Sequence, residues 1–262
     1  MLSEIRKHLP GHPWQDKIQY FDTLDSTNTY AKQLALQGAA AGTVIIAGHQ
    51  TGGRGRLGRS FSSPAGMGIY MSVILRPDCR PEELMHLTCA AGLAACNAIE
   101  ETLGIFPGIK WTNDLVLNRK KLGGILTELS VNPTSGKVEW AVVGIGINCC
   151  QKAGQFPPEI QAIACSLGLK PEHTPPLSAS LIAALETMSR TLLVGKNSIM
   201  EAFSRRCITV GSEISVLRGD EVQHATAIGI EENGGLLVQY PDGSKGVITS
   251  GEVSIRGMYG YL

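Results

Sequence analysis

His49-Gln50-Thr51-Gly52-Gly53-Arg54-Gly55-Arg56-Leu57-Gly58-Arg59-Ser60-Phe61 is the stretch on which the fold turns. It follows an apolar run, Val44-Ile45-Ile46-Ala47, and Gly53-x-Gly55-x-x-Gly58 matches the dinucleotide fingerprint of doubly wound α/β proteins. That fold needs a helix to open inside the loop, so that its N-terminus meets a pyrophosphate. The residues that follow, Ser60-Phe61-Ser62-Ser63-Pro64-Ala65-Gly66-Met67-Gly68, cannot build a regular helix. The match is therefore a decoy, even though Asp78 falls near the distance of the acidic partner. What remains is Arg54, Arg56 and Arg59 set among three glycines. Forked, permanent cations on a backbone that allows close approach favour a bound small anion over a merely solvated loop.

The rest of the chain makes this charge a local one. Its 262 residues are 43% hydrophobic and 18% charged, with 23 basic against 23 acidic residues, so no basic excess marks a dedicated nucleic-acid binder. The N-terminus, MLSEIRKHLPGHP, lacks the apolar stretch of a signal peptide, and no later run reaches the length of a membrane span. Seven cysteines without a CxxC pair argue against a disulfide scaffold and against a zinc site. A soluble protein of a reducing cytoplasm is expected, with room for one large core or two unequal domains.

Strand-like runs at 18–22, 43–48 and 69–75 flank the loop, and Ser26-Thr27-Asn28 stand where a helix begins. Pro81 to Leu103 reads as an amphipathic helix closed by Gly104. Runs at 114–117 and 124–129 predict a hairpin around the turn Asn118-Arg119-Lys120-Lys121, and a further strand spans 138–147. A proline-rich change of pattern covers 156–177, and helical periodicity returns at 178–193 and 198–206. Beyond Gly211, short β runs at 213–217, 225–230, 236–239 and 246–249 alternate with turns at Arg218-Gly219-Asp220, Asn233-Gly234-Gly235 and Asp242-Gly243. This predicts a small all-β unit, read as a barrel.

Three further constellations carry chemistry. In Lys110-Trp111-Thr112-Asn113-Asp114, the polar pair ahead of Leu115-Val116-Leu117 either caps the strand or points into a site. Lys121, beside Gly123-Gly124, reads as an exposed cation that a phosphate can approach. Asp25-Ser26-Thr27-Asn28 is a helix N-cap, a binder of a small polar head, or both. Gly144 and Gly146 in GIGIN either pack tightly in a core strand or admit a flat ligand against the backbone.

Taken in order, DSTN, HQTGGRGRLGRSF, KWTNDL, KLGGILTEL and GIGIN resemble the biotin protein ligases, from about residue 18 to the C-terminus. The resemblance implies an α+β fold: a mixed-sheet catalytic domain (18–210) followed by a small SH3-like β-barrel (211–262). Residues 1–17 are then a short segment, similar to the end of a linker, without the winged-helix DNA-binding domain of many bacterial relatives. It implies ATP and Mg2+ as cofactors, biotin as substrate, biotinyl-5′-AMP as intermediate and a biotin carboxyl carrier domain as partner, with no nucleic acid or membrane partner. Either a monomer or a homodimer fits. Ser26, Thr27, Asn28, Gln50, Gly53, Arg54, Gly55, Gly144 and Gly146 fall on the biotin side. Arg56 and Lys121 stand between carboxylate and phosphate, and Arg59, Phe61, Asn113 and Asn148 fall on the nucleotide side. Asp114 is the carboxylate best placed in sequence to take a proton from the acceptor lysine, which makes Lys121, Arg56 and Asp114 the catalytic set. No protein ligand for a metal is expected. Thr112 replaces a usual proline, which is expected to loosen the backbone near Asn113. The rivals are a lipoate protein ligase, whose glycine-rich loop lacks these arginines, and a biotin-responsive repressor, which the neutral charge disfavours.

Overall fold

The computed structural model describes residues 1–218, 221–249 and 254–257. Seven strands form one sheet: β1 (Ile18–Phe21), β2 (Val44–Ala47), β3 (Gly68–Leu75), β4 (Gly108–Lys110), β5 (Asp114–Leu117), β6 (Lys120–Val131) and β7 (Val138–Asn148). Their spatial order is β1-β2-β3-β7-β6-β5-β4. β1 and β2 run parallel and all other neighbours antiparallel, so the sheet is mixed. Alternation sorts the central residues between two faces. Ile45, Ile74 and Val142 meet Ala31 and Ala35 of helix α2 (Thr27–Leu36), whereas Val44, Ile46, Val73, Val143 and Ile145 enter the main core.

That main core lies under α3 (Leu87–Leu103), α4 (Thr174–Thr191) and α5 (Lys196–Arg206). The single helix expected over 81–103 is two pieces: a 3-10 turn at Pro81–Leu84, then α3 after Met85-His86. Nor is α3 amphipathic. It is buried from Leu87 to Cys96 without interruption, because the sheet lies on one side and α4 and α5 on the other. Its run of alanine, glycine and cysteine suits a helix enclosed on all sides. Gly104, at φ 66, ends it in the left-handed conformation that glycine adopts at least cost.

Residues 1–17 pack against this fold. Helix α1 (Leu2–Lys7) packs on α4, and Ile5, Leu9 and Trp14 are all buried in the main core. Arg6 ties the segment down by donating from Nε to the Gln15 carbonyl at 3.2 Å.

The hairpin is tighter than expected. Its turn is Asn118-Arg119 alone, both with positive φ (51 and 61), the two-residue geometry that matches strand twist. Lys121 belongs to β6. A bulge between Leu115 and Val116 sets Leu115 opposite Gly123 but Val116 opposite Lys121, leaving Leu122 extra. Because side chains alternate along a strand, that one residue brings Lys121 onto the face of Asp114 instead of the reverse face.

After Gly211 the chain forms a separate antiparallel sheet of β8 (Glu213–Arg218), β9 (Glu221–Ile230), β10 (Leu236–Gln239), β11 (Lys245–Ile248) and β12 (Ser254–Gly257), in the order β11-β10-β9-β8-β12. Gly219 and Asp220 of the expected first turn, and residues 258–262, lie outside the described residues. The two sheets are joined by specific bonds. Trp111 Nε1 donates to the carbonyl of Gly234, in the β9–β10 turn, at 2.8 Å, and the Trp111 N–H donates to Thr209 Oγ1 at 2.9 Å. All seven cysteines are unpaired, and among the described residues no helix is long and apolar enough to cross a membrane.

Candidate functional site

A cleft of about 280 Å3 opens where the first turn of α2, the arginine loop and strands β5 to β7 converge. That is near the lower end of small-molecule sites, roughly 300–1,000 Å3. Of the residues expected at the site, all line it except Gly53. Gly53 is buried beneath the loop, where a methyl group would strike the Phe61 carbonyl and Ser63 Oγ. Its close approach is to the loop's own return strand, where Phe61 N donates to the Gly53 carbonyl at 2.9 Å.

One end of the cleft is a polar network on the first turn of α2. Ser26 caps the helix, its Oγ accepting from Thr29 N at 3.5 Å. Gln50 Oε1 accepts from the N–H and hydroxyl of Thr27 at 2.9 and 3.1 Å, and Gln50 Nε2 donates to Ser63 Oγ at 2.8 Å. Cap and pocket wall are thus the same residues. Gly144 and Gly146 line the cleft, and each also admits a protein side chain. A methyl group on Gly144 would overlap the Asn28 amide, and one on Gly146 the Phe61 ring.

The other end is a relay of charge. Arg56 donates to Asn113 Oδ1 at 3.0 Å, Asn113 Nδ2 donates to Asp114 Oδ1 at 3.3 Å, and Lys121 Nζ pairs with the same carboxylate oxygen at 2.6 Å. Lys121, expected as exposed, is half-buried and ion-paired. Burial pushes the Arg56 guanidinium below its ordinary value while the Asp114 carboxylate pulls the other way, and it remains a cation at neutral pH. Arg54 and Arg59 are exposed at the rim. Leu57, at the loop tip, is 69% exposed with φ 55, a left-handed conformation that costs a non-glycine residue about 1–2 kcal/mol. The Trp111–Thr112 peptide is cis. Thr112 does not loosen this turn: it is buried and its Oγ1 lies 3.2 Å from Cys89 Sγ. Asn148, also buried, binds the Cys165 carbonyl through Nδ2 and accepts from Gln151 through Oδ1, so it anchors the 150–165 segment.

The donor set does not suit a metal held by protein. Among the described residues no group of three or more His, Cys, Asp or Glu side chains could cage an ion. Among the described residues Asp114 is the one carboxylate lining the cleft, and Lys121 already engages it.

Residues 20–148 match the model of the biotin/lipoate A/B protein ligase family, and residues 209–256 match the biotin protein ligase C terminal domain. The bifunctional ligase/repressor BirA of Bacillus subtilis is 33% identical over 252 residues, which covers 95% of this chain and 77% of that protein. This chain belongs to the biotin protein ligase family. The biotin--[acetyl-CoA-carboxylase] ligase of Mycobacterium tuberculosis is 30% identical over 249 residues, 93% of this chain and 90% of that one. In three dimensions the fold is similar to the biotin protein ligase from Aquifex aeolicus in complex with biotin and ATP, with a TM-score of 0.72 at 29% identity, over 92% of this chain and 98% of that one.

This family member has a cleft wall that the sequence reading passed over. Phe156, Ile160, Ile163 and Ala164 line it from the proline-rich segment. The same segment grips Lys121 by its backbone: Lys121 N donates to the Ile163 carbonyl at 2.7 Å, and Cys165 N donates to the Lys121 carbonyl at 2.9 Å. No helical periodicity marked it: Phe156 is extended (φ -77, ψ 147), and Ile160 to Ala164 form a turn, closed by Ala164 N donating to the Ile160 carbonyl at 2.8 Å. Lys110 and Trp111, quoted as neighbours of Asn113, line the cleft themselves.

Proposed function

We infer that this chain condenses biotin with ATP to biotinyl-5′-AMP and passes the biotinyl group to a specific lysine of a carboxylase's biotin carboxyl carrier domain. The observation that carries the reading is the convergence of five separated motifs on one cleft, polar at one end and doubly cationic at the other. The match of residues 209–256 to a biotin protein ligase C terminal domain, together with the arginines of the loop, supports biotin over lipoate.

In the first half-reaction a carboxylate oxygen attacks the α-phosphorus, a C–O–P anhydride forms and pyrophosphate leaves. A carboxylate of pKa about 4–5 is already ionised at neutral pH, so no base is needed. The barrier is repulsion between anions and their alignment, which Arg56 and Lys121 lower by fixed positive charge. Mg2+ belongs to this step as companion of the nucleotide phosphates, and none of the steps assigned to the chain runs through it. Ser26, Thr27, Asn28 and Gln50 hold the vitamin's polar head, and Phe61 covers the base. Closure of the arginine loop over the anions shields the anhydride from water.

Substrate anions compete with Asp114 for Lys121. Once they have drawn the ammonium away, Asp114, still held by Asn113 Nδ2, takes the proton that the acceptor lysine must lose before its nitrogen attacks the anhydride carbonyl and AMP departs. The seven free cysteines fit a cytoplasmic setting for both steps.

The test is biotin-dependent exchange of pyrophosphate into ATP, followed by the mass of an acceptor domain incubated with ATP, biotin and lipoate together. Exchange and the mass of one biotinyl group are expected. A lipoyl adduct, or no exchange, overturns the reading.

A further inference from the structure

Asn28 reaches the cleft from the first turn of α2, yet its amide is oriented from outside the cleft. Nδ2 donates to the Leu126 carbonyl at 3.2 Å and to Glu128 Oε2 at 2.9 Å. A carbonyl and a carboxylate only accept, so the NH2 group must face them. Oδ1 then faces the other way, where the fully buried Ser72 hydroxyl donates to it at 2.6 Å. The second oxygen of Glu128 is taken by Lys32 Nζ at 2.6 Å. Asn28 and Lys32 are four residues apart on α2 and share a face, as do Leu126 and Glu128 two apart on β6. One carboxylate therefore staples a full helical turn to the strand. Neither Lys32 nor Glu128 lines the cleft.

We propose that Glu128, backed by Lys32, is a positioning residue that fixes the Asn28 amide so that the cleft's polar end offers oxygen to the N–H groups of a urea-like head. Ser72 uses one lone pair of Oδ1 and leaves the second for a ligand. A reversed amide presents N–H against N–H and repels the same ligand. The proposal rests on the biotin ligase reading and adds to it a pair of residues that governs vitamin affinity without touching the vitamin.

Glu128→Met removes the acceptor at similar length, and Glu128→Gln keeps one oxygen for Asn28. In pyrophosphate exchange by the full chain, Glu128→Met is expected to raise the KM for biotin roughly 10-fold, the scale of one charge-assisted hydrogen bond at a partly exposed site. The KM for ATP and kcat should stay within about 2-fold, since the cation end is untouched, and Glu128→Gln should return the biotin KM to within about 3-fold of the parent. A parallel fall in kcat with both KM values raised, or an unchanged biotin KM in Glu128→Met, overturns the proposal. If Glu128→Met does not fold, Lys32→Met on the helix surface decides: a biotin KM about 3-fold higher supports the staple, and an unchanged one defeats it. Absence of exchange in the parent chain defeats the functional reading itself, whereas exchange with unaltered KM in the variants defeats only the positioning role.

Discussion

At rest Lys121 is held by Asp114 at 2.6 Å, and this pairing decides how single substitutions separate the two half-reactions. Lys121→Ala removes a cation from the α-phosphate and is expected to lower pyrophosphate exchange by about 10²–10³-fold, the scale of losing one preorganised charge donor. Normal exchange in that variant would sink its role. Asp114→Asn keeps the hydrogen-bond geometry and releases Lys121, so exchange should persist while transfer to the acceptor falls about 10²–10⁴-fold. Equal losses in both assays mean that Asp114 only supports the site. At this scale the sequence was informative because the functional residues are polar types in short, distinctive strings. It was less informative where a residue's task is to satisfy another residue. Ser72 and Ser63 sit in no string, and only three-dimensional proximity shows that they complete the hydrogen bonds of Asn28 and Gln50. Gly53 of the loop and Gly146 of β7 were read toward a ligand; the structure adds that Gly53 makes room for the Phe61 carbonyl and Gly146, on the cleft wall, for the Phe61 ring.

Between residues and the whole molecule, the elements show where local pattern stops being sufficient. Most strand positions were legible because alternation and turn residues are local, although the short strands β4 and β12 were not expected; the β5–β6 bulge was not legible, since one extra residue leaves composition unchanged while reversing the face of Lys121. Helix α3 was misread as amphipathic because enclosure by α4, α5 and the sheet is a tertiary fact. The same holds for α1, whose six residues are too few to be stable alone and are held by packing. Ile5 is fully buried against this core. Ile5→Ala is therefore expected to lower unfolding stability by about 2–4 kcal/mol, read as the urea midpoint, with the KM for biotin unchanged because the cleft lies on other elements. A shift below about 0.5 kcal/mol would show that α1 is a loosely attached appendage.

For the molecule as a whole, the decisive contact is between sheets. The Trp111 indole lines the cleft with one side and donates to the buried Gly234 carbonyl with its nitrogen. Trp111→Phe keeps a ring but leaves that carbonyl only the weak Cys89 thiol at 3.9 Å, which should cost about 1–3 kcal/mol of stability and lower adenylation as well. Loss of stability with adenylation unaltered would mean that the contact holds the sheets together without shaping the cleft. Removal of residues 211–262 is expected to abolish transfer, and a fully active truncated chain would contradict that. The contact also has a bearing on biosynthesis. Trp111 and the carbonyl that fixes it are separated by 123 residues. At about 5–20 residues per second, a ribosome needs roughly 6–25 s to travel that far. For that interval a nascent chain already carries the arginine loop, and later Lys121, without the support that holds the indole wall. The hydrogen bond that holds the indole wall can therefore form only after the far sheet has been translated, and a polypeptide interrupted before Gly234 lacks it.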